Sequence, residues 1–525
     1  MKKRTIAEHY IHDFASLAWR FDLDWRQPQH WRQQLKRVID SYRLGTVVSE
    51  PLARFQRELG AGEKAVENAR SLAERGTVAI VTGQQAGLAT GPLYTIYKAL
   101  AVLKAARELA EREQSKVIPV FWLASEDHDW LEISHCYWPG RQWRWPDPPG
   151  AGRKPAGLLA MTMAMEQTIW EMIRCLPEGT GRTETGEWLA AALKGAGSPA
   201  GWVARLLARL LGEQGLVIVD PMLPELRQAL QPFWQETLAK GAEIPALICQ
   251  AGEQLAAAGW QPALAMASDR TGLFYLQNDE RIALTVQELT LGVELAVQEP
   301  VRLSCSVATR PLAQDRLLPT VAYVAGPGEL AYYAQLREVY HLFGQTMPIL
   351  LPRWSVTLVE PEQKKVLNQW QLSLPELAEL EQQEIDLRLA SRAGWNHEQL
   401  LADLRERWQK EHAELFTHLA QLEPELELLQ ARNWNYISYQ LDYLKGKVEQ
   451  KLRRQYRQQI DALLAARQTL WPGGKRQERV LNLTWFLSRW GKGWLHYLLH
   501  APLDWGQHYY LELGGSEDGY HLYQG

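Results

Sequence analysis

The stretch from Thr77 to Asp129 leaves the chain the fewest choices of fold. Thr77-Val-Ala-Ile-Val81 is a short β-branched run of the kind that makes a buried strand. It leads into Thr82-Gly-Gln-Gln-Ala-Gly-Leu-Ala-Thr-Gly91, a glycine-rich loop, and then Pro92, a favoured first-turn residue. From Leu93 to about Glu113 a helix is predicted, with Ile96, Leu100, Leu103 and Ala106 on one stripe. Val117-Ile-Pro-Val-Phe-Trp-Leu-Ala124 is a second buried strand, ending in Ser125-Glu-Asp-His-Asp129. Strand, loop, helix, strand is a βαβ unit, whose strands lie parallel with a right-handed crossover. The chain therefore needs a layered α/β core.

Other segments extend that core. The residues up to about Arg75 run in helical rhythm, with Trp31, Leu35, Val38 and Ile39 at near-helical spacing. Leu216-Val-Ile-Val-Asp220, Val321-Ala-Tyr-Val324 and Met347-Pro-Ile-Leu-Leu351 read as further strands, with a helix from Leu330 to His341. The core spans 1–365 and carries two insertions. One, at about 139–215, is rich in Pro, Gly and small helices without clear sheet signals; the other, at about 222–305, has short β segments near Leu273 to Leu276 and Arg281 to Val286. From 366 to 470 the pattern becomes that of a helical hairpin. Leu401, Leu404, Trp408, His412, Leu415, Leu419, Leu422 and Leu426 alternate steps of three and four, the seam of a coiled coil. Pro424 should kink or end that helix. Ile437, Leu441, Leu444, Val448, Leu452, Tyr456, Ile460 and Leu463 form a looser second seam, and Trp471-Pro-Gly-Gly474 stops it. The segment 471–525, with Val480, Leu483, Phe486 and Leu487, is expected to pack back on the core.

A chain of 525 residues exceeds what one hydrophobic core serves, so at least two substructures are expected. A formal net charge of −4 argues against nucleic acid as a partner, which needs a basic surface. No run of about twenty apolar residues suggests a membrane span. Lys2, Lys3 and Arg4 precede no apolar run, so no secretory signal is read. Cys136, Cys175, Cys249 and Cys305 lie far apart, which favours neither zinc nor a disulfide framework and fits a reducing cytoplasm.

In open parallel sheets ligands bind beyond the carboxyl ends of strands, beside helix N-termini. The loop holding Thr82, Gly83, Gln84, Gln85, Gly87 and Gly91 falls there, where backbone N–H groups and the helix dipole favour an anion. Its spacing is neither GxGxxG nor Walker A. Glu126, Asp127, His128 and Asp129 follow the second strand directly. Carboxylates and an imidazole in that position suit acid/base and substrate-orienting work, whereas a solvated cluster of caps and salt bridges is the plain structural alternative. Neighbouring residues point different ways, so no metal site is predicted. Arg310, Asp315 and Arg353 are expected at strand ends, either as salt bridges or, for the guanidinium groups, as carboxylate receptors. Gly326, Gly328 and Glu329 form a second loop beside the first.

Longer strings carry a family resemblance. Val81-Thr-Gly-Gln-Gln-Ala-Gly-Leu-Ala-Thr-Gly-Pro-Leu-Tyr-Thr-Ile-Tyr-Lys98 resembles the signature loop and helix of the cysteine-adding enzymes of bacillithiol biosynthesis. So do Pro119-Val-Phe-Trp-Leu-Ala-Ser-Glu-Asp-His-Asp129, Leu317-Leu-Pro-Thr-Val-Ala-Tyr-Val-Ala-Gly-Pro-Gly-Glu-Leu-Ala-Tyr332 and Gln477-Glu-Arg-Val-Leu-Asn482, in family order. Ala86 and Ala89 stand where larger apolar residues are expected, and Ser125 where Gly or Ala is expected. The resemblance implies a Rossmann-like core with connecting insertions and an antiparallel coiled-coil hairpin that supports a homodimer. It also implies a ligase joining cysteine to glucosaminyl-malate through an amide bond, the last step of bacillithiol synthesis; because a free carboxylate needs activation, ATP is the expected energy source. Tyr94 and Lys98, within the first string, join the substrate-binding candidates on that ground. A sugar- or nucleotidyl-transferase on the same core, or a non-catalytic dimeric scaffold, are the rival readings.

Overall fold

A computed structural model describes residues 5–394, 397–514 and 519–524. The chain divides into two compact units, Met1–Leu358 with Gln477–Gly525, and Val359–Arg476. These divisions fall several residues from the expected 365 and 470, because the helix Pro361–Trp370 packs with Arg457–Leu470 inside the second unit.

In chain order the first strands are β1 (Val78–Gln84), β2 (Val117–Leu123), β3 (His135–Trp138), β4 (Arg141–Arg144) and β5 (Val217–Val219). There follow β6 (Arg270–Gln277), β7 (Glu280–Thr285), β8 (Leu303–Cys305), β9 (Thr320–Ala325) and β10 (Ile349–Pro352). Three more, β11 (Ser355–Val359), β12 (His508–Leu513) and β13 (Tyr520–Gln524), close the set. The central sheet has the order β10-β9-β1-β2-β5, and every pairing in it is parallel. This is a Rossmann-like sheet. The chain moves outward from β1 through β2 to β5, then returns to the far side of β1 for β9 and β10. The order therefore reverses between β1 and β9, the position at which such sheets open a crevice.

Both faces of the sheet are covered, which explains its nearly unbroken apolar strands. Val78, Ile80 and Phe121 join one buried cluster, while Ala79, Val81, Val120 and Trp122 join the other. The helix Tyr94–Glu113 makes the crossover from β1 to β2, as the apolar stripe requires. Local pattern erred in two places here. The single helix expected over 330–341 is two, Pro327–Tyr333 and Arg337–Leu342. Between them the buried Gln335 amide accepts from Ala263 N and Leu264 N and donates to Ile248 O and Leu264 O, holding the turn open. The antiparallel pair β3–β4 spans the start of the first insertion, expected to lack sheet, and places β4 inside it. Its signal was Pro139-Gly140 between two tryptophan-bearing runs, with Gly140 at φ 72°.

The segment after Gln477 belongs to the first unit. There Asn482 is fully buried, and its side-chain amide donates to the carbonyls of Ala89 (2.9 Å) and Gly91 (2.6 Å). Its oxygen meanwhile accepts from Thr484 N and so caps the helix Leu483–Trp490.

In the second unit the helices His397–Leu422 and Gln430–Gln455 lie antiparallel, as Glu398–Lys445, Arg405–Asp442 and His412–Asn433 pair in falling register. The first helix ends two residues before Pro424, and a 3-10 turn Pro424–Leu429 connects the two. The seam differs from expectation. His412 and Phe416 are buried, while Trp408, Leu415 and Leu422, each seven residues from the next, are exposed by 43%, 54% and 81%. Two helices bury one stripe against each other; residues seven apart line up beside that stripe and stay uncovered.

Candidate functional site

At the reversal of strand order, β1 and β9 bring their carboxyl ends together. Thr82 Oγ1 donates to Val324 O (2.9 Å) across the crevice. A Cβ on Gly83 would lie 3.0 Å from the Trp122 carbonyl oxygen and 3.4 Å from the Tyr323 hydroxyl, so close strand approach leaves room only for hydrogen there. Lys98 reaches up from the crossover helix to Gly83 O (2.8 Å), Gln84 Oε1 (2.9 Å) and Glu329 Oε2 (2.6 Å). Burial pulls its ammonium below the usual lysine range, with Glu329 opposing. Glu329 also accepts from Tyr323 OH (2.6 Å) and Gly326 N (2.7 Å). Burial opposes its charge, yet Lys98 and these donors outweigh it and hold the carboxyl below its usual range.

Beyond β10, Arg353 makes two parallel 2.8 Å bonds to Glu478, and both residues are buried. Gly326 sits among these groups, 3.4 to 3.8 Å from Glu329, Lys98 and Arg353 by its would-be Cβ, whereas Gly328 is exposed with nothing near it. Tyr94 accepts from Gln84 Nε2 (3.2 Å) and lies under the Arg353 guanidinium.

The rest of the glycine-rich loop turns inward. Ala86 to Gly91 are buried, Ala89, Thr90 and Gly91 take φ of 50°, 76° and 71°, and Leu93 N donates to Leu481 O. The helix N-terminus, expected to face a ligand, is instead covered by the chain's own tail. Gly87 serves close packing, its would-be Cβ 3.0 Å from Gly91 Cα. Gln84 and Gln85 are the loop residues left facing the strand ends, and Gln85 Nε2 donates to Asp127 (2.6 Å).

The acidic cluster at the end of β2 splits by role. Glu126 is buried 3.7 Å from Arg227, and burial pushes its carboxyl above the usual range, opposed by Arg281, Arg227 and Arg310. Asp127 accepts from Gln85, from His128 N (2.8 Å) and from Arg281 (3.4 Å). His128 is half-buried beside Phe274, with Arg281 3.1 Å from its Nδ1. Burial first, and Arg281 second, hold it below the usual imidazole range, against Asp127 and Asp129. Asp129 is exposed and accepts from Glu132 N (3.1 Å), capping the short helix Trp130–Ile133.

Arg310 and Asp315, expected at strand ends, both lie on the helix Arg310–Leu317, where Pro311 presets the first turn. Arg310 is half-buried and donates to Tyr332 OH (2.6 Å); among the described residues no carboxylate lies within salt-bridge distance of it. Asp315 is at the other end of that helix, toward the start of β9, and accepts from Tyr340 OH (2.7 Å). Burial pushes it up to about 6. The structure thus gathers Gln85, Glu126, Asp127 and His128 with Arg310 nearby, sets Lys98, Glu329 and Arg353 in an adjoining buried network, and leaves Asp315 outside both.

Two residues of the cluster escaped sequence reasoning. Arg227 comes from a helix after β5 and Arg281 from β7, both in the second insertion. Arg281 follows the polar run Gln277-Asn-Asp-Glu280 and Arg227 sits between Glu225-Leu226 and Gln228, so nothing local tied either to Glu126. Among the described residues no helix is long and apolar enough to cross a membrane.

Comparison with known proteins agrees with this architecture. Residues 1–354 match the family description "Bacillithiol biosynthesis BshC, N-terminal Rossmann-like domain", and residues 356–513 match "Bacillithiol biosynthesis BshC, C-terminal coiled-coil domain". A Heliobacterium modesticaldum protein named "Putative cysteine ligase BshC" is 34% identical, over 89% of this chain and 90% of its own. Proteins of the same name from Symbiobacterium thermophilum and Bacillus cereus are 32% and 30% identical, over 95% and 88% of this chain and 95% and 89% of theirs. A reversing parallel sheet with a charged carboxyl edge, a separate antiparallel hairpin and these end-to-end similarities place the chain in the BshC family of bacillithiol biosynthesis.

Proposed function

We propose that the chain is a ligase that joins the carboxyl group of L-cysteine to the amine of glucosaminyl-malate, the last step of bacillithiol synthesis. The observation that carries this reading is the buried carboxylate Glu126, 3.7 Å from Arg227 and under the charge of Arg281 and Arg310, at the carboxyl end of the Rossmann-like sheet, in a chain whose relatives are named cysteine ligases. An amine attacks only after losing its proton, and a carboxylate whose proton affinity is raised by burial is a suitable acceptor. Glu126 takes that role. Arg310, a guanidinium without a carboxylate partner among the described residues, receives a malate carboxylate. Arg353, already paired with Glu478, does not.

A free carboxylate is a poor acyl donor, so ATP is the proposed energy source and supplies the leaving group. The cationic side chains at this edge, Arg227 and Arg281, offset phosphate charge there. The four cysteines are unpaired, in keeping with a cytoplasmic enzyme handling small molecules. The test is incubation of the purified chain with L-cysteine, ATP and glucosaminyl-malate, with product mass as readout. Bacillithiol formation is the expected result. Turnover of nucleotide-sugars by a folded chain that makes no amide overturns this reading in favour of a transferase.

The hairpin is proposed to form a homodimer. The uncovered line of Trp408, Leu415 and Leu422 is the kind of apolar stripe a second copy covers. Trp408→Glu with Leu415→Glu is expected to halve the mass measured by light scattering. A double variant that stays dimeric removes the hairpin from the interface.

A further inference from the structure

The contact between Arg281 and His128 constrains the imidazole more tightly than the acidic residues around it do. A guanidinium nitrogen has hydrogens to give and no lone pair to offer. Arg281 lies 3.1 Å from His128 Nδ1, so Nδ1 must be the acceptor, and the ring proton must sit on Nε2. Arg281 is itself fixed in place. Its side chain is 7% exposed, its Nε donates to Ser304 Oγ (3.3 Å), and another of its nitrogens donates to Cys305 O. Its guanidinium also lies over the Phe274 ring, 3.9 Å from the centroid, and the Phe274 and His128 ring centroids are 6.1 Å apart. Swinging Arg281 away would break all of these contacts at once. Asp127 Oδ1 stands 3.8 Å from Nδ1, too far to compete as a hydrogen-bond partner. Asp129, the other charge facing the ring from its own segment, is committed to the cap on Glu132 N.

We infer that Arg281 is a positioning residue that holds His128 neutral with its proton on Nε2, so that His128 serves the reaction as a hydrogen-bond donor and not as a proton acceptor. The inference rests on the ligase reading above and deepens it. The lone pair a base needs is occupied by Arg281, and the free edge of the ring presents N–H. The group of complementary chemistry is the oxygen of the ATP-activated cysteine carboxyl group: as the amine nitrogen bonds to the carbonyl carbon the carbonyl π pair moves onto that oxygen, and it returns as the bond from the carbon to the ATP-derived group breaks and that group leaves with the bonding pair. The proton lost by the amine goes to Glu126, and His128 neither gains nor loses one. A donor aimed at charge that develops only during reaction raises kcat more than it lowers KM.

Two measurements test this independently. The first needs no assay: nitrogen NMR of the full chain labelled only in its histidine rings, with the His128 signals identified by their loss in His128→Gln. A neutral ring protonated on Nε2 is expected at pH 7, and Arg281→Met is expected to yield a mixture of tautomers and a higher pKa at His128. Protonation on Nδ1, or an imidazolium, in the wild-type chain overturns the inference even if the ligase reading stands. The second compares amides in place of the ring, since Gln places its N–H₂ near Nε2 and Asn places its own near Nδ1. His128→Gln is expected to keep a kcat at least about tenfold above those of His128→Asn and His128→Ala, with similar KM for cysteine. Equal losses in all three folded variants overturn the donor role. Absence of amide product from the wild-type chain itself would instead count against the ligase reading, and the NMR result would still decide the tautomer.

Discussion

Glu126→Gln is expected to slow thiol formation by about 10²- to 10⁴-fold, the usual contribution of a positioned proton acceptor. The substitution keeps shape and removes one charge. Two effects on stability oppose each other. Burial raises the folded-state pKa of Glu126 above its ordinary value of 4.5. A group raised in this way stabilises the fold fully at pH below the unfolded value, and that contribution is lost as pH rises through the folded value. Ionising the buried carboxylate is therefore a burden on the fold, but Glu126→Gln also leaves the buried Arg227, 3.7 Å away, without its carboxylate, so the variant is expected to unfold more readily than the parent. The wild-type rate should also fall on acidification at a pH above 4.5, as Glu126 gains a proton. A folded Glu126→Gln chain that turns over at the wild-type rate removes Glu126 as proton acceptor.

Arg353→Met is the substitution expected to cost most in stability. Arg353 and Glu478 are 4% and 3% exposed in their side chains and bond through two parallel contacts. Deleting one member strands the other as a buried charge, at about 3–5 kcal/mol. Replacing both, as Arg353→Met with Glu478→Leu, should recover much of that loss, because neither charge then lacks its partner. Denaturant midpoints of the three chains measure this directly. A single variant with the wild-type midpoint but a raised KM for glucosaminyl-malate would return Arg353 to substrate binding. The expectation is the reverse, and it separates the buried network of Lys98, Glu329, Arg353 and Glu478 from the groups that meet substrate.

The sequence by itself determined what is local and periodic. β1, its glycine-rich exit, the helix Tyr94–Glu113 and β2 could be read from β-branched runs, a Pro in the first turn and an apolar stripe, because each depends on neighbours within a few residues. The position of Glu126 to His128 at a strand end followed from the same signals. The loop residues were legible as a glycine-rich turn, but not the direction in which it turns. Only the tertiary structure decided that Asn482, nearly 400 residues later, would hold Ala89 and Gly91 and bury the helix N-terminus.

The same limit explains the remaining differences. Arg281 meets His128 across 153 positions, and Glu478 meets Arg353 across 125. Periodicity says which side of an element is apolar; it does not say which distant element covers that side, or which charge comes with it. Asp315 and Arg310, five residues apart on one short helix, therefore looked equivalent in sequence, yet they lie toward opposite ends of β9. In the hairpin the heptad spacing was plain, but choosing between the stripe on Phe416 and the one on Trp408, Leu415 and Leu422 required the partner helix. Local propensity acts over a turn or a strand, whereas a binding edge is assembled by packing between segments hundreds of residues apart, and that packing is where the chemistry of this chain was decided.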